Sequence, residues 1–136
     1  MVEVTIEYEG ELHTRAQHGP SAAELETDAP TDNHGKGERF SPTDLVAAAL
    51  GSCMLTVMGI LAERHGWALA GAKATTRKGM TEDPLRRVGR LEVELSFPPG
   101  LPLEARQPLV RAAETCPVRQ SLHPDLVVEL AANWPD

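Results

Sequence analysis

Hydrophobic and polar positions alternate from the start of the chain. In VEVTIEY, Val2, Val4, Ile6 and Tyr8 fall on one side and polar residues on the other, the period of a half-buried strand. The turn EGE follows, and Leu12, Thr14 and Ala16 continue a second, weaker strand. AAELETDA predicts a third. From Pro30 to Arg39 the run PTDNHGKGER has no apolar period and carries two glycines, which is loop chemistry. A helix then begins sharply. Ser41 is its N-cap, Pro42 suits the first helical position, and Asp44 completes an S-x-x-D capping box. The helix is predicted to reach His65, with Gly66 as a left-handed stop.

Beyond it, ALAGAKATTRKGM and GRLEVELSF read as two strands around the turn TEDPLRR. PLEARQPLVRAAET has helical periodicity interrupted by Pro108. CPVRQSLH predicts a further short helix and DLVVELAANW a closing strand. The order β-β-(β)-α-β-β-α-α-β is that of an α+β protein rather than a regular β-α-β alternation. No linker divides the chain, so residues 1–136 are expected to form a single domain.

The first helix is unusual in composition. Leu45 to Ala62 is 18 residues without a charge, the lower limit for crossing a bilayer. Much of that run is Ala, Gly, Ser, Thr and Cys, and no Trp or Tyr belt flanks it, so no membrane span is expected. A water-soluble helix that is apolar all round must be covered on every side. A small sheet covers one side, and a second copy of the chain would cover the rest. Ala47, Ala48, Ala49, Gly51 and Ser52 would let a neighbour approach closely. An obligate homodimer with this helix near its centre is the expectation.

Overall composition narrows the function. The 136 residues are 41% hydrophobic and 24% charged, with 20 acidic against 13 basic side chains and a net charge of −7. Aromatic residues make up 4%, so the positive surface and stacking platforms of a nucleic-acid binder are missing. MVEVTIEYEG has neither the basic nor the apolar segment of a secretory leader, and a cytoplasmic location is expected. The histidines His13, His18, His34, His65 and His123 have no ligand spacing, so neither metal nor cofactor is implied. Arg77, Lys78, Arg86, Arg87 and Arg90 gather on the middle hairpin among acids and read as a solvated face.

Two cysteines remain, Cys53 and Cys116. In the cytoplasm they are expected to be reduced at rest. Cys116 precedes Pro117 at a helix start, where the helix end would lower a thiol pKa. Cys53 lies mid-helix in an apolar setting, which alone would make it inert. Local chemistry thus favours Cys116 as the more acidic thiol, and the two readings, reactive pair or buried small hydrophobes, both stand at this point.

FSPTDLVAAALGSCMLTVM followed by ETCPVRQSL resembles the OsmC/Ohr family, the osmotically inducible protein C and organic hydroperoxide resistance proteins. The resemblance implies an intertwined α+β homodimer, with antiparallel sheets around long, buried, Cys-bearing central helices. It implies that Cys53 is the peroxidatic thiolate, which cleaves the O–O bond of an organic hydroperoxide, releases the alcohol and becomes a sulfenic acid. Cys116 would then resolve it to a disulfide that a dithiol reductant reopens. This reverses the emphasis of the local reading. One position departs from the pattern. Peroxidatic members carry a Glu directly after the helix-start Pro that holds an arginine over the thiolate; here that position is Thr43, followed by Asp44. Asp44 and Glu38 are the acidic candidates to replace it, and Arg15 and Arg39 the candidate arginines. Leu45, Leu50, Val57 and Met58 are expected to form an apolar substrate wall. The loss of the Glu keeps a second reading open: a non-catalytic OsmC-like dimer that binds a small apolar ligand or senses oxidants through its thiols.

Overall fold

The computed structural model describes residues 1–135. The elements are β1 (Val4–Gly10), β2 (His13–His18), β3 (Glu24–Asp28), a 3-10 turn at Thr31–Asn33, α1 (Pro42–His65), β4 (Lys73–Thr81), β5 (Arg87–Ser96), α2 (Leu103–Glu114), α3 (Pro117–Ser121) and β6 (Val127–Asn133). The strands form two three-stranded sheets, ordered β1-β2-β3 and β4-β5-β6, and the α+β class holds. The chain forms two compact units, Met1–Val46 and Ala47 onward.

In the first unit, β1, β2 and β3 make an antiparallel meander. The turn after β1 is tight, with Gly10, Glu11 and Leu12 all at positive φ. Cross-strand register puts Ile6 opposite Ala16 and Ala16 opposite Leu25, so the alternation read from sequence gives one apolar face. That face is open in the single chain: Val4, Ile6, Tyr8 and Leu25 are all exposed. The other face carries charge, with Glu7 opposite Arg15, Arg15 opposite Glu26, and His13 opposite Asp28.

Helix α1 begins at Pro42 and ends at His65, as its capping residues dictate. The Ser41 N–H donates to the Asp44 carboxylate at 2.9 Å, and the Asp44 N–H donates back to Ser41 Oγ at 3.0 Å. These reciprocal bonds satisfy donors that the first turn cannot. Gly66, at φ 69°, reverses the chain.

In the second unit, α1 buries one stripe, Leu50, Gly51, Met54, Met58 and Ala62. Gly51 has no room for a side chain: a Cβ there would lie 2.9 Å from Thr76 Oγ1 of β4 and 3.3 Å from Ala74 Cβ. β5 contributes Leu91, Val93 and Leu95, and α2 contributes Ala105, Leu109 and Ala113. Phe97 stacks on Trp134 with ring centroids 3.7 Å apart, and the Arg106 guanidinium lies 5.0 Å from the Trp134 ring centroid. The opposite stripe of α1, Ala48, Ala49, Ser52, Thr56 and Ile60, is uncharged yet exposed. α1 is long and apolar enough to cross a membrane, but its inner stripe is the core of this unit.

The pairing of β6 corrects the expectation of wholly antiparallel sheets. β4 and β5 are antiparallel, whereas β5 and β6 run parallel. A parallel pair needs a long crossover, and the segment with α2 and α3 between β5 and β6 supplies it.

Candidate functional site: the Cys53–Cys116 thiol pair

The structure brings the two cysteines together across 63 positions of sequence. Both are free thiols, and Cys53 lies near enough to Cys116 to influence its thiol. α1 supplies Cys53 from the half-buried flank of its inner stripe. The start of α3 supplies Cys116, as the Cys-Pro pair predicts: Cys116 is the N-cap, Pro117 opens the helix, and Cys116 Sγ accepts the Arg119 N–H at 3.4 Å.

Burial sets the two thiols apart. Cys116 is 0% exposed, whereas Cys53 is half-buried. Burial is also the largest influence on the Cys116 thiol and pushes it above the ordinary cysteine value. The Arg119 amide opposes this, the hydrogen bond to Cys53 and any charge on Cys53 reinforce it, and the Val118 amide again opposes. The expectation of a lowered Cys116 pKa is therefore corrected. The helix start is as predicted, but the cost of placing a thiolate out of water exceeds what two amides return.

The apolar wall expected around Cys53 is corrected in part as well. Leu50 and Met58 are fully buried in the core of their own unit, because they lie on the inner stripe of α1. Val57, one turn beyond Cys53, is half-buried on the same flank.

The remaining candidates lie in the first unit. Asp44 spends its carboxylate on the Ser41 cap, and Thr43 Oγ1 lies 3.2 Å from Ser41 Oγ. Arg15 and Arg39 are both held by Glu26. Arg15 Nη2 donates to Glu26 Oε1 at 3.1 Å, and Arg39 Nε donates to Glu26 Oε2 at 3.1 Å. Arg15 also reaches Glu24 at 3.1 Å and Glu9 at 3.4 Å. Glu38 contributes its backbone amide, which helps lower the Asp28 carboxyl.

Sequence reading missed this hub. His13 places Nδ1 2.6 Å from Asp28 Oδ1 and Nε2 within 3.3 Å of both Glu9 and Glu26. The Asp28 hydrogen bond is the main cause that raises the His13 pKa, against the burial that would lower it. His13 in turn is the main cause that lowers Asp28. Burial works against an ionised Glu26, but Arg39, His13 and Arg15 outweigh it and hold its carboxyl low. Ligand-type atoms of Glu9, His13 and Glu26 lie within 4.8 Å of one another, and two guanidiniums already neutralise those carboxylates. A signal was present in the sequence: His13-x-Arg15 on one strand faces Glu26-x-Asp28 on its neighbour. Three basic residues of the middle hairpin pair with acids, Arg77 with Glu94, Arg86 with Glu82 and Arg90 with Glu92, while Arg87 donates to the Asp83 and Val88 carbonyls.

Comparison with known proteins bears directly on this arrangement. The family profile of OsmC-like proteins matches residues 35–131. A search of curated proteins finds no match. Among solved structures, a Psychrobacter arcticus 273-4 protein, named for an osmotic stress induced and detoxification response, is 42% identical. It aligns over 98% of this chain and 96% of its own, with a TM-score of 0.92. An organic hydroperoxide resistance protein OsmC from Legionella pneumophila is 18% identical, over 98% and 96% of the two chains, with a TM-score of 0.77. An organic hydroperoxide resistance protein from Elizabethkingia anophelis is 17% identical, over 99% and 96%, with a TM-score of 0.78. The last two share the fold alone. The profile spans both cysteines and most of the chain, and a relative 42% identical aligns over nearly all of it; the chain belongs to the OsmC-like protein family.

Proposed function

We propose that this protein is a two-cysteine peroxidase that reduces organic hydroperoxides, works in the cytoplasm in oxidative-stress defence, and is recycled by a dithiol. The observation that carries the reading is the thiol pair: a half-buried Cys53 beside a wholly buried Cys116 whose thiol it influences. A peroxide can approach only the exposed sulfur. The Cys53 thiolate attacks the terminal peroxide oxygen, the O–O bond breaks, the alcohol leaves with a proton, and Cys53 becomes a sulfenic acid. Cys116 attacks that sulfur, water leaves, and a disulfide forms. A dithiol then returns both sulfurs to thiols by exchange. The candidate cations of this mechanism, Arg15 and Arg39, are both ion-paired with Glu26 in the first unit.

The working unit of this reading is a single OsmC-like domain in a homodimer. The apolar face of β1–β3 and the outer stripe of α1 are both uncharged and open in one chain. Such surfaces call for a partner, and a second copy supplies one to each.

Titration of the reduced protein with one equivalent of cumene hydroperoxide, with thiol counting and disulfide mapping, tests the reading. Loss of two thiols per chain and a Cys53–Cys116 disulfide within seconds is the expected result. Two thiols surviving excess peroxide would sink it. Thr43 in the place of the family Glu favours one alternative, an OsmC-like dimer that binds an apolar ligand or senses oxidants; disulfide formation without turnover under excess dithiol would select that alternative.

A further inference from the structure

The two sulfurs of the oxidised pair are not equivalent targets for the reductant. We infer that the dithiol attacks the Cys53 sulfur, so that the mixed disulfide forms on Cys53 and Cys116 is the leaving group. The inference rests on the peroxidase reading, which supplies the disulfide, and extends it to the recycling step.

Two effects compete. Exchange is faster when the leaving thiol is the more acidic, and Cys116 is raised above the ordinary value; leaving-group acidity alone therefore gives Cys116 no advantage as the thiol that departs. Access acts the other way. Cys116 is 0% exposed, and an incoming thiolate must meet the attacked sulfur in line with the S–S bond. A sulfur with no exposed surface offers no such line unless α3 first unfolds. Cys53 is half-buried and keeps an open side. Access decides, because a poor leaving group slows the step whereas an unreachable sulfur removes it.

The leaving-group penalty also falls during the reaction. Two of the influences that raise Cys116 come from Cys53, its hydrogen bond and its charge. Once Cys53 is bonded to the reductant it carries no charge and no S–H. The amides of Arg119 and Val118 remain, and the first already donates to Cys116 Sγ at 3.4 Å. The pair that caps α3 in the reduced state thus receives the departing sulfur.

The steps balance. One deprotonated thiol of the reductant attacks Cys53 Sγ. The Cys53–Cys116 bond breaks, its electron pair goes to Cys116 Sγ, and that sulfur takes a proton from solvent. The second thiol, deprotonated, attacks the reductant sulfur of the mixed disulfide and releases the Cys53 thiolate. The dithiol is oxidised to a disulfide by two electrons, and the protein regains two thiols.

The test uses a monothiol at one equivalent, which carries no second thiol to resolve its own mixed disulfide. Protein oxidised with one equivalent of cumene hydroperoxide is treated briefly with 2-mercaptoethanol and quenched in acid. It is then unfolded, blocked with N-ethylmaleimide and mapped by peptide mass spectrometry. The expected result is the monothiol on Cys53 and the maleimide on Cys116, in at least a roughly tenfold excess over the reverse. Equal labelling, or the monothiol chiefly on Cys116, overturns the inference. If peroxide leaves the thiols reduced, the peroxidase reading fails by itself, and the same disulfide made with diamide still reports which sulfur is attacked. No disulfide by either route overturns both.

Discussion

The two units of this chain are stabilised by opposite means. In Met1–Val46 the buried described side chains are Thr27, Asp28 and Ser41, all polar, while Ile6 and Tyr8 are 60% and 63% exposed. From Ala47 onward, α1, β5 and α2 supply a continuous set of buried apolar residues, Leu50, Met54, Met58, Leu91, Leu95 and Leu109 among them. The second unit thus has the core of a domain, and it contains the thiol pair. The first has an ion-pair network on one sheet face and an uncovered apolar face on the other. An apolar sheet face left in water forgoes the stabilisation that burying it would give. The contrast leaves the first unit with an open apolar face beside a charged one, and gives the second the buried depth that sets Cys116 apart from Cys53.

The largest effect that would break this comparison is at the open face. Ile6→Asp places a charge in the proposed contact, and self-association should weaken by at least about 100-fold, as sedimentation would measure. Thr5→Asp, on the opposite face of β1, should leave it unchanged. Equal effects from both would mean that the apolar face of β1 is not an assembly surface. Next in size is the core of the second unit. Leu50→Ala should cost about 2–5 kcal/mol in denaturant unfolding. A cost below about 1 kcal/mol would show that α1 is not anchored by its inner stripe.

The smallest effect lies in the charge network. His13 is raised from its ordinary 6.5, so its contribution is complete below that pH and is lost as pH rises through the folded value. Asp28 and Glu26 are lowered from 3.8 and 4.5, so theirs is present above those values and lost as pH falls. The β1–β3 sheet should therefore be most stable between roughly pH 4.5 and 6.5. Amide exchange in β2 and β3 should speed up from pH 6 to pH 8 beyond the intrinsic rate, and His13→Gln should remove that excess. An unchanged excess in the variant would show that another group carries the pH dependence.

Local signals were legible where the residues themselves form the structure. Ser41, Pro42 and Asp44 fix the start of α1, Gly66 its end, and Cys116–Pro117 the start of α3. The β1 alternation gave a true face but not its exposure, which depends on what lies opposite it. The uncharged run of α1 concealed which stripe turns inward, since Leu50 and Val57 look alike in sequence and only Leu50 is fully buried. Direction was hidden too: nothing in DLVVELAANW distinguishes a strand parallel to β5 from an antiparallel one. For Cys116, the helix-start signal was correct, and a depth that sequence does not encode reversed its consequence. Glu26 was overlooked because its role arises from strand register, which joins Arg15 to it across β2 and β3.

The central claim is that Cys53 meets the peroxide and Cys116 only resolves it. The most direct measurement is alcohol release in a single turnover, with no reductant present, from Cys116→Ser and Cys53→Ser. The account predicts one alcohol per chain from Cys116→Ser, at a rate close to the parent protein, and none above the uncatalysed background from Cys53→Ser. Alcohol release from Cys53→Ser, or its absence from Cys116→Ser, would contradict the assignment.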